Sequence, residues 1–151
     1  MPTAIIDLSE MWKALRTALL TDTALVERLG AADAIYLEWP SIKVTYPIIT
    51  LVPGPRNPSD VAKDRGLYNP ELTLNIYGVD RFACEALYAV IESRWSIPLN
   101  RPALIESANY RLTSLDPWNC VQVGRLRLLD TDQEVYQLAV ECKTRIARKS
   151  A

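Results

Sequence analysis

Glu71-Leu72-Thr73-Leu74-Asn75-Ile76-Tyr77-Gly78 is the stretch on which the fold turns. Leu72, Leu74 and Ile76 alternate with Thr73, Asn75 and Tyr77, the period of two that marks a strand buried on one face. Gly78 ends the run, and Asp80 stands where a helix cap belongs. Beyond it, Cys84, Leu87, Tyr88, Ile91 and Trp95 form one apolar stripe, widened by Ala83 and Val90. Arg81, Glu85, Glu92 and Arg94 fall on the side that faces water, and Pro98 stops the helix.

Upstream, Tyr46-Pro47-Ile48-Ile49-Thr50-Leu51-Val52 reads as a second strand. Pro47 lacks a ladder donor, so it starts this strand or lies on an edge. Ile35-Tyr36-Leu37 is a shorter candidate. Residues Pro53 to Pro70 break every periodicity, with four prolines and two glycines among mixed charges. A long irregular loop inside a compact domain is usually functional or disordered. Its charged residues Arg56, Asp60, Lys63, Asp64 and Arg65 are therefore candidate contacts.

At the start of the chain, Leu8, Met11, Trp12, Leu15 and Leu19 recur at helical spacing. Asp7 or Ser9 caps this helix, with Glu10 completing a capping box from Asp7, and Glu10, Lys13, Arg16 and Thr17 take the opposite side. A second short helix, capped by Thr21 or Asp22, holds Ala24, Leu25, Val26 and Leu29. Gly30 follows at the position of a left-handed stop. In the last third, Ala108–Leu115, Val121–Leu129 and Val135–Ile146 read as strands, separated by turns at Asp116-Pro117 and at residues 130–133. Gly124 is a candidate bulge. The order is α-α-β-β-α-β-β-β. Strands gathered into hairpins imply an α+β fold, a mainly antiparallel sheet with helices packed on one face.

At 151 residues, 49% of them hydrophobic, the chain is expected to be one domain with a real core. Lys and Arg number 17 against 18 Asp and Glu, so no overall field draws it to nucleic acid or an anionic membrane. No apolar run is long enough to span a bilayer, and the N-terminus lacks the basic region of a signal peptide. Three cysteines without paired spacing suit reduced thiols in a cytoplasm.

Histidine is absent, which removes the commonest general base and zinc ligand. Cys84 and Cys142 fall on apolar faces and read as core. Cys120, after the Pro117-Trp118-Asn119 turn, stands where a side chain can be exposed, with no evident cationic neighbour to lower its pKa. Asp130, Asp132 and Glu134 have carboxylate spacing but lack the glycine and closing glutamate of a calcium loop, so a solvated turn explains them better. Arg125 and Arg127, then Arg145, Arg148 and Lys149, read as charged faces rather than a specific nucleic-acid site. No catalytic residue, metal or cofactor is expected. Trp39 and Trp118, each beside a proline in a predicted loop, either anchor an interface or plug the end of the core.

Taken together, several stretches resemble the tail-terminator, or tail-completion, family of tailed bacteriophages. They are Leu15-Arg16-Thr17-Ala18-Leu19-Leu20-Thr21-Asp22-Thr23-Ala24-Leu25, the Gly30 break, Tyr46-Pro47-Ile48-Ile49-Thr50-Leu51, the variable loop, and Leu72-Thr73-Leu74-Asn75-Ile76-Tyr77-Gly78. A helix rich in Ala and Glu follows, and a closing strand after an acidic turn also fits. The resemblance implies a ring, usually a hexamer, that caps the head-proximal end of the tail tube and stops its polymerisation. It also implies the tail tube protein and the head-tail connector protein as partners, with genomic DNA passing through without sequence-specific binding. Assembly would take place in the host cytoplasm, and the protein would end in the virion. A head-tail connector or neck adaptor is the close alternative, and a small-ligand-binding α+β module the more distant one. A sheet with free edges suits such assembly, by strand addition or by side-to-side contact.

Overall fold

The computed structural model describes residues 7–40, 43–54, 67–127 and 134–149. The first helix, α1 (Ser9–Leu20), buries Met11, Trp12, Leu15, Ala18 and Leu19, with Leu8 just before it, so its stripe matches the spacing. Its start differs. Leu8 holds the cap position without a side-chain bond, and Asp7 Oδ1 accepts from Ser9 N at 2.9 Å. Arg16, expected on the water side, reaches the backbone of the first strand and donates to Ile35 O and Asp33 O.

Helix α2 (Thr23–Val26) is capped by Asp22, which accepts from Ala24 N at 3.1 Å. Asp22 is 1% exposed and has two further donors: Arg94 Nε at 3.0 Å and the Trp95 indole Nε1 at 2.9 Å. Gly30 is not a left-handed stop, since Gly124 is the described glycine with positive φ. Gly30 N donates to Pro47 O at 2.8 Å, and a Cβ there would lie 1.9 Å from Thr45 O. Close backbone approach is what requires glycine here.

Six strands form one sheet: β1 (Ile35–Tyr36), β2 (Ile48–Pro53), β3 (Leu67–Tyr68), β4 (Glu71–Gly78), β5 (Tyr110–Arg127) and β6 (Glu134–Arg148). β1 and β2 pair in parallel, and every other pair is antiparallel. β6 takes β4 and then β3 along one side and β5 along the other. Pro47 directly precedes β2, joined to Tyr46 by a cis peptide. The fold is α+β, as its hairpin-rich pattern implies.

Helix α3 (Arg81–Val90) is capped by Asp80, which accepts from Ala83 N at 2.8 Å. It continues as a π turn, Ile91–Trp95, and a 3₁₀ turn, Pro98–Asn100. The wider turn aims the Trp95 indole at Asp22 and brings Arg94, expected in water, onto the same carboxylate. Cys84, Leu87, Val90, Ile91 and Trp95 join α1, α2 and the inner sheet residues Leu72, Leu74, Ile76, Leu138 and Val140 in one core.

Two expectations about strand order need correction. Asp116-Pro117 is not a turn, because β5 runs through it, so the two strands expected there are one. The register shifts between Leu112 and Ser114, Pro117 and Asn119, and Gln122 and Gly124. An edge strand tolerates both the missing proline donor and the bulges. Gly124 lies at the last shift with φ 98°, as the sequence indicates. β3 is the second difference: two residues at the end of the irregular loop pair with Ile146 and Ala147. The described order is therefore α-α-β-β-β-β-α-β-β.

Candidate assembly surface

Helices cover the sheet face carrying Leu72, Leu74 and Ile76. The other face displays Thr73, Asn75 and Tyr77 from β4 beside Lys143, Glu141, Ala139 and Gln137 from β6. Antiparallel sheets commonly keep one such wet face. Gln137 Nε2 donates to Asn75 Oδ1 at 3.1 Å, and Asn119 Nδ2 donates to Glu141 Oε2 at 3.2 Å. Cross-strand bonds of this kind hold the face in a fixed pattern.

The two tryptophans named from sequence stand at opposite borders of this face. Trp39 is 47% exposed and meets Tyr77 edge to face, ring centroids 5.0 Å apart. Burial pushes the Tyr77 phenol up in pKa, and a hydrogen bond from Thr50 opposes it. Trp118 is 49% exposed, at the second bulge of β5, with Lys143 Nζ 5.1 Å from its ring centre. Each ring is therefore about half exposed while touching one neighbour. Beside Trp118, a shallow depression of about 370 Å³ is lined by Glu71, Asp116, Lys143 and Arg145 among others.

β5 forms the outer border of the sheet. Among the described residues it pairs with β6 and, by an isolated bridge between Glu106 and Arg111, with the segment before it. Three register shifts and Pro117 interrupt its outward row of donors and acceptors. Side-chain contact suits this border better than strand addition.

The charged loop residues Arg56, Asp60, Lys63, Asp64 and Arg65 lie outside the described residues, as do Asp130 and Asp132. Pro53 ends β2, Gly54 N donates to Glu71 O at 2.6 Å, and β3 closes the far side, so the loop is pinned at both ends. Glu134 is engaged with Arg125 at 3.6 Å. Among the described residues no group of three or more Cys, Asp and Glu is placed to hold a metal. Among the described residues, the two basic groups named from sequence lie apart. Arg125 lies opposite Tyr136 and Arg145 opposite Ser114, about 30 Å apart along β6. Lys149 pairs with Glu106, as does Arg111.

Burial pushes the Cys84 thiol up to about 11, aided by the Asp80 and Glu85 charges, and Cys142 up to about 12. Cys120 is exposed as expected. Partial burial, then the Glu92 and Glu85 carboxylates, raise its pKa as well. All three thiols are held protonated, which disfavours nucleophilic chemistry.

Sequence reading missed a second group of exposed apolar side chains: Val79 and Phe82 at the start of α3, and Ile97, Leu99 and Leu104 after its end. Their signal was their phase. Phe82 falls off the stripe that runs through Cys84, Leu87 and Ile91, and Ile97 and Leu99 flank the stop at Pro98.

No family model matches the sequence, and no curated protein matches it. In fold the chain is similar to one from the virion of a native gene transfer agent particle, with a TM-score of 0.52 at 16% identity. The likeness covers 91% of this chain and 98% of that one.

Proposed function

We propose that the chain is a structural subunit of a phage-like virion whose copies form a ring, as a hexamer, at the head-proximal end of a tail tube. The ring stops tube growth and joins the tube to the head connector. DNA passes through its hole without sequence-specific contact. The subunit is made in the host cytoplasm and ends in the virion.

One observation carries this reading: the fold likeness to a chain of the gene transfer agent virion, which spans nearly all of both chains. The surface supports it. A polar sheet face bordered by two half-exposed tryptophans offers a contact surface with aromatic anchors. The thiols are protonated, and Asp22 and Asp80, the carboxylates best placed for chemistry, are taken up as helix caps. We therefore assign the working role to surfaces and not to a reaction.

The test is negative-stain imaging of the purified protein, alone and with tail tubes. Rings that cap one tube end, and overlong tubes when the protein is omitted from assembly, are the expected result. Rings that bind head connectors but not tubes would move the subunit to the head side of the neck. A protein that neither forms rings nor binds tubes would overturn the reading.

A further inference from the structure

Among the described residues β1 pairs with β2 alone, so its other side is an edge of the sheet. No bulge or proline interrupts it, unlike the border at β5. Beside it runs an open groove of about 580 Å³, lined by Lys13, Arg16 and Thr17 of α1 and by Tyr36 and Trp39 among others. An uncovered strand next to open space is a template for another strand.

The direction of the main chain identifies what lies on this edge. In a parallel pair, residues that turn N–H and C=O toward the neighbour alternate with residues that turn both away. Ala34 O accepts from Ile49 N at 3.0 Å and so faces β2. Ile35 therefore turns both of its polar groups to the open side, and neither is left free. Ile35 N donates to Asp33 O at 2.8 Å. Ile35 O accepts from Arg16 Nε at 2.5 Å, and Arg16 Nη2 donates to Asp33 O at 3.2 Å. One side chain, reaching over from α1, holds both carbonyls.

We infer that Arg16 closes the β1 edge against strand addition by a second copy of this chain. Its guanidinium stands where an added strand would bring an N–H, and it donates to the same carbonyl. With β5 interrupted as well, copies are left to associate through side chains. The inference concerns an edge of the single subunit and does not depend on the ring reading above.

The test compares Arg16→Met, which keeps the length of the side chain and removes its donors, with Arg16→Lys, which keeps a donor. Arg16→Gln, too short to reach Ile35 O, is measured alongside, so that a folding failure of one variant does not leave the question open. Folding is checked by circular dichroism. Association beyond the size that wild type reaches is followed by light scattering at high protein concentration, and hydrogen exchange over residues 35–37 locates it. Freeing two carbonyls is expected to raise this association roughly tenfold in the Met and Gln variants, with residues 35–37 gaining protection in the associated material. Arg16→Lys is expected to stay near wild type. Folded Met or Gln variants as dispersed as wild type overturn the inference, and so does association without protection at 35–37. Wild-type rings on tail tubes, or their absence, bear on the ring reading alone.

Discussion

Asp22 accepts from three donors contributed by two parts of the chain, the amide of α2 and the Arg94 and Trp95 side chains of the π turn. Asp22→Ala removes a cap and leaves a buried indole N–H unpaired, so it is expected to lower stability by about 2–4 kcal/mol, read as a drop in urea midpoint. Asp22→Asn keeps an acceptor and loses mainly the ion pair. It should cost about 1 kcal/mol, because the Arg94 side chain is 43% exposed. The sequence shows Asp22 as a cap, but its reach to a side chain 73 residues away stays hidden. A 3.6-residue period cannot announce a π turn, and it is that turn which aims Trp95. The thiols give a second prediction at this scale. Only Cys120 should react with a disulfide reagent in the native protein, more slowly than free cysteine at pH 8, because its raised pKa leaves less thiolate. Cys84 and Cys142 keep their protons when folded and lose them sooner when unfolded. Stability is therefore full below about pH 9 and should fall as pH rises toward 11–12, the slope easing in a Cys84→Ala, Cys142→Ala variant.

Among the elements, helices and inner strands were the legible part, since burial writes a period into them. Leu72, Leu74 and Ile76, and the stripes of α1 and α3, lie where spacing puts them. The border strand was not legible. Asp116-Pro117-Trp118-Asn119 has turn composition, yet it continues β5 because an outermost strand need satisfy hydrogen bonds on one side only. Two glycines separate the reasons for that residue. Gly30→Ala drives a methyl into the Thr45 carbonyl and is expected to cost about 3 kcal/mol, because main chain cannot swing aside. Gly124→Ala meets no atom within 4 Å and pays only for its φ of 98°, about 1 kcal/mol. Thermal unfolding of the two variants should show the larger shift for Gly30→Ala.

At the scale of the whole molecule, the exposed tryptophans separate folding from assembly. Trp39→Ala and Trp118→Ala remove half-exposed rings and are expected to lower stability by about 1 kcal/mol or less. On the proposed reading, at least one of them weakens tube capping tenfold or more, measured by the fraction of capped ends in micrographs. That these rings share one sheet face could not be read from residues so far apart in sequence. It needs the register of β4, β5 and β6, which no single strand's pattern contains. The kinked border of β5 has one more consequence. A straight 18-residue margin would offer each copy a main-chain template for the next, and crowded subunits would grow into fibrils without limit. With that margin shifted in register three times and interrupted at Pro117, main-chain templating is disfavoured, and association is left to surfaces that can saturate.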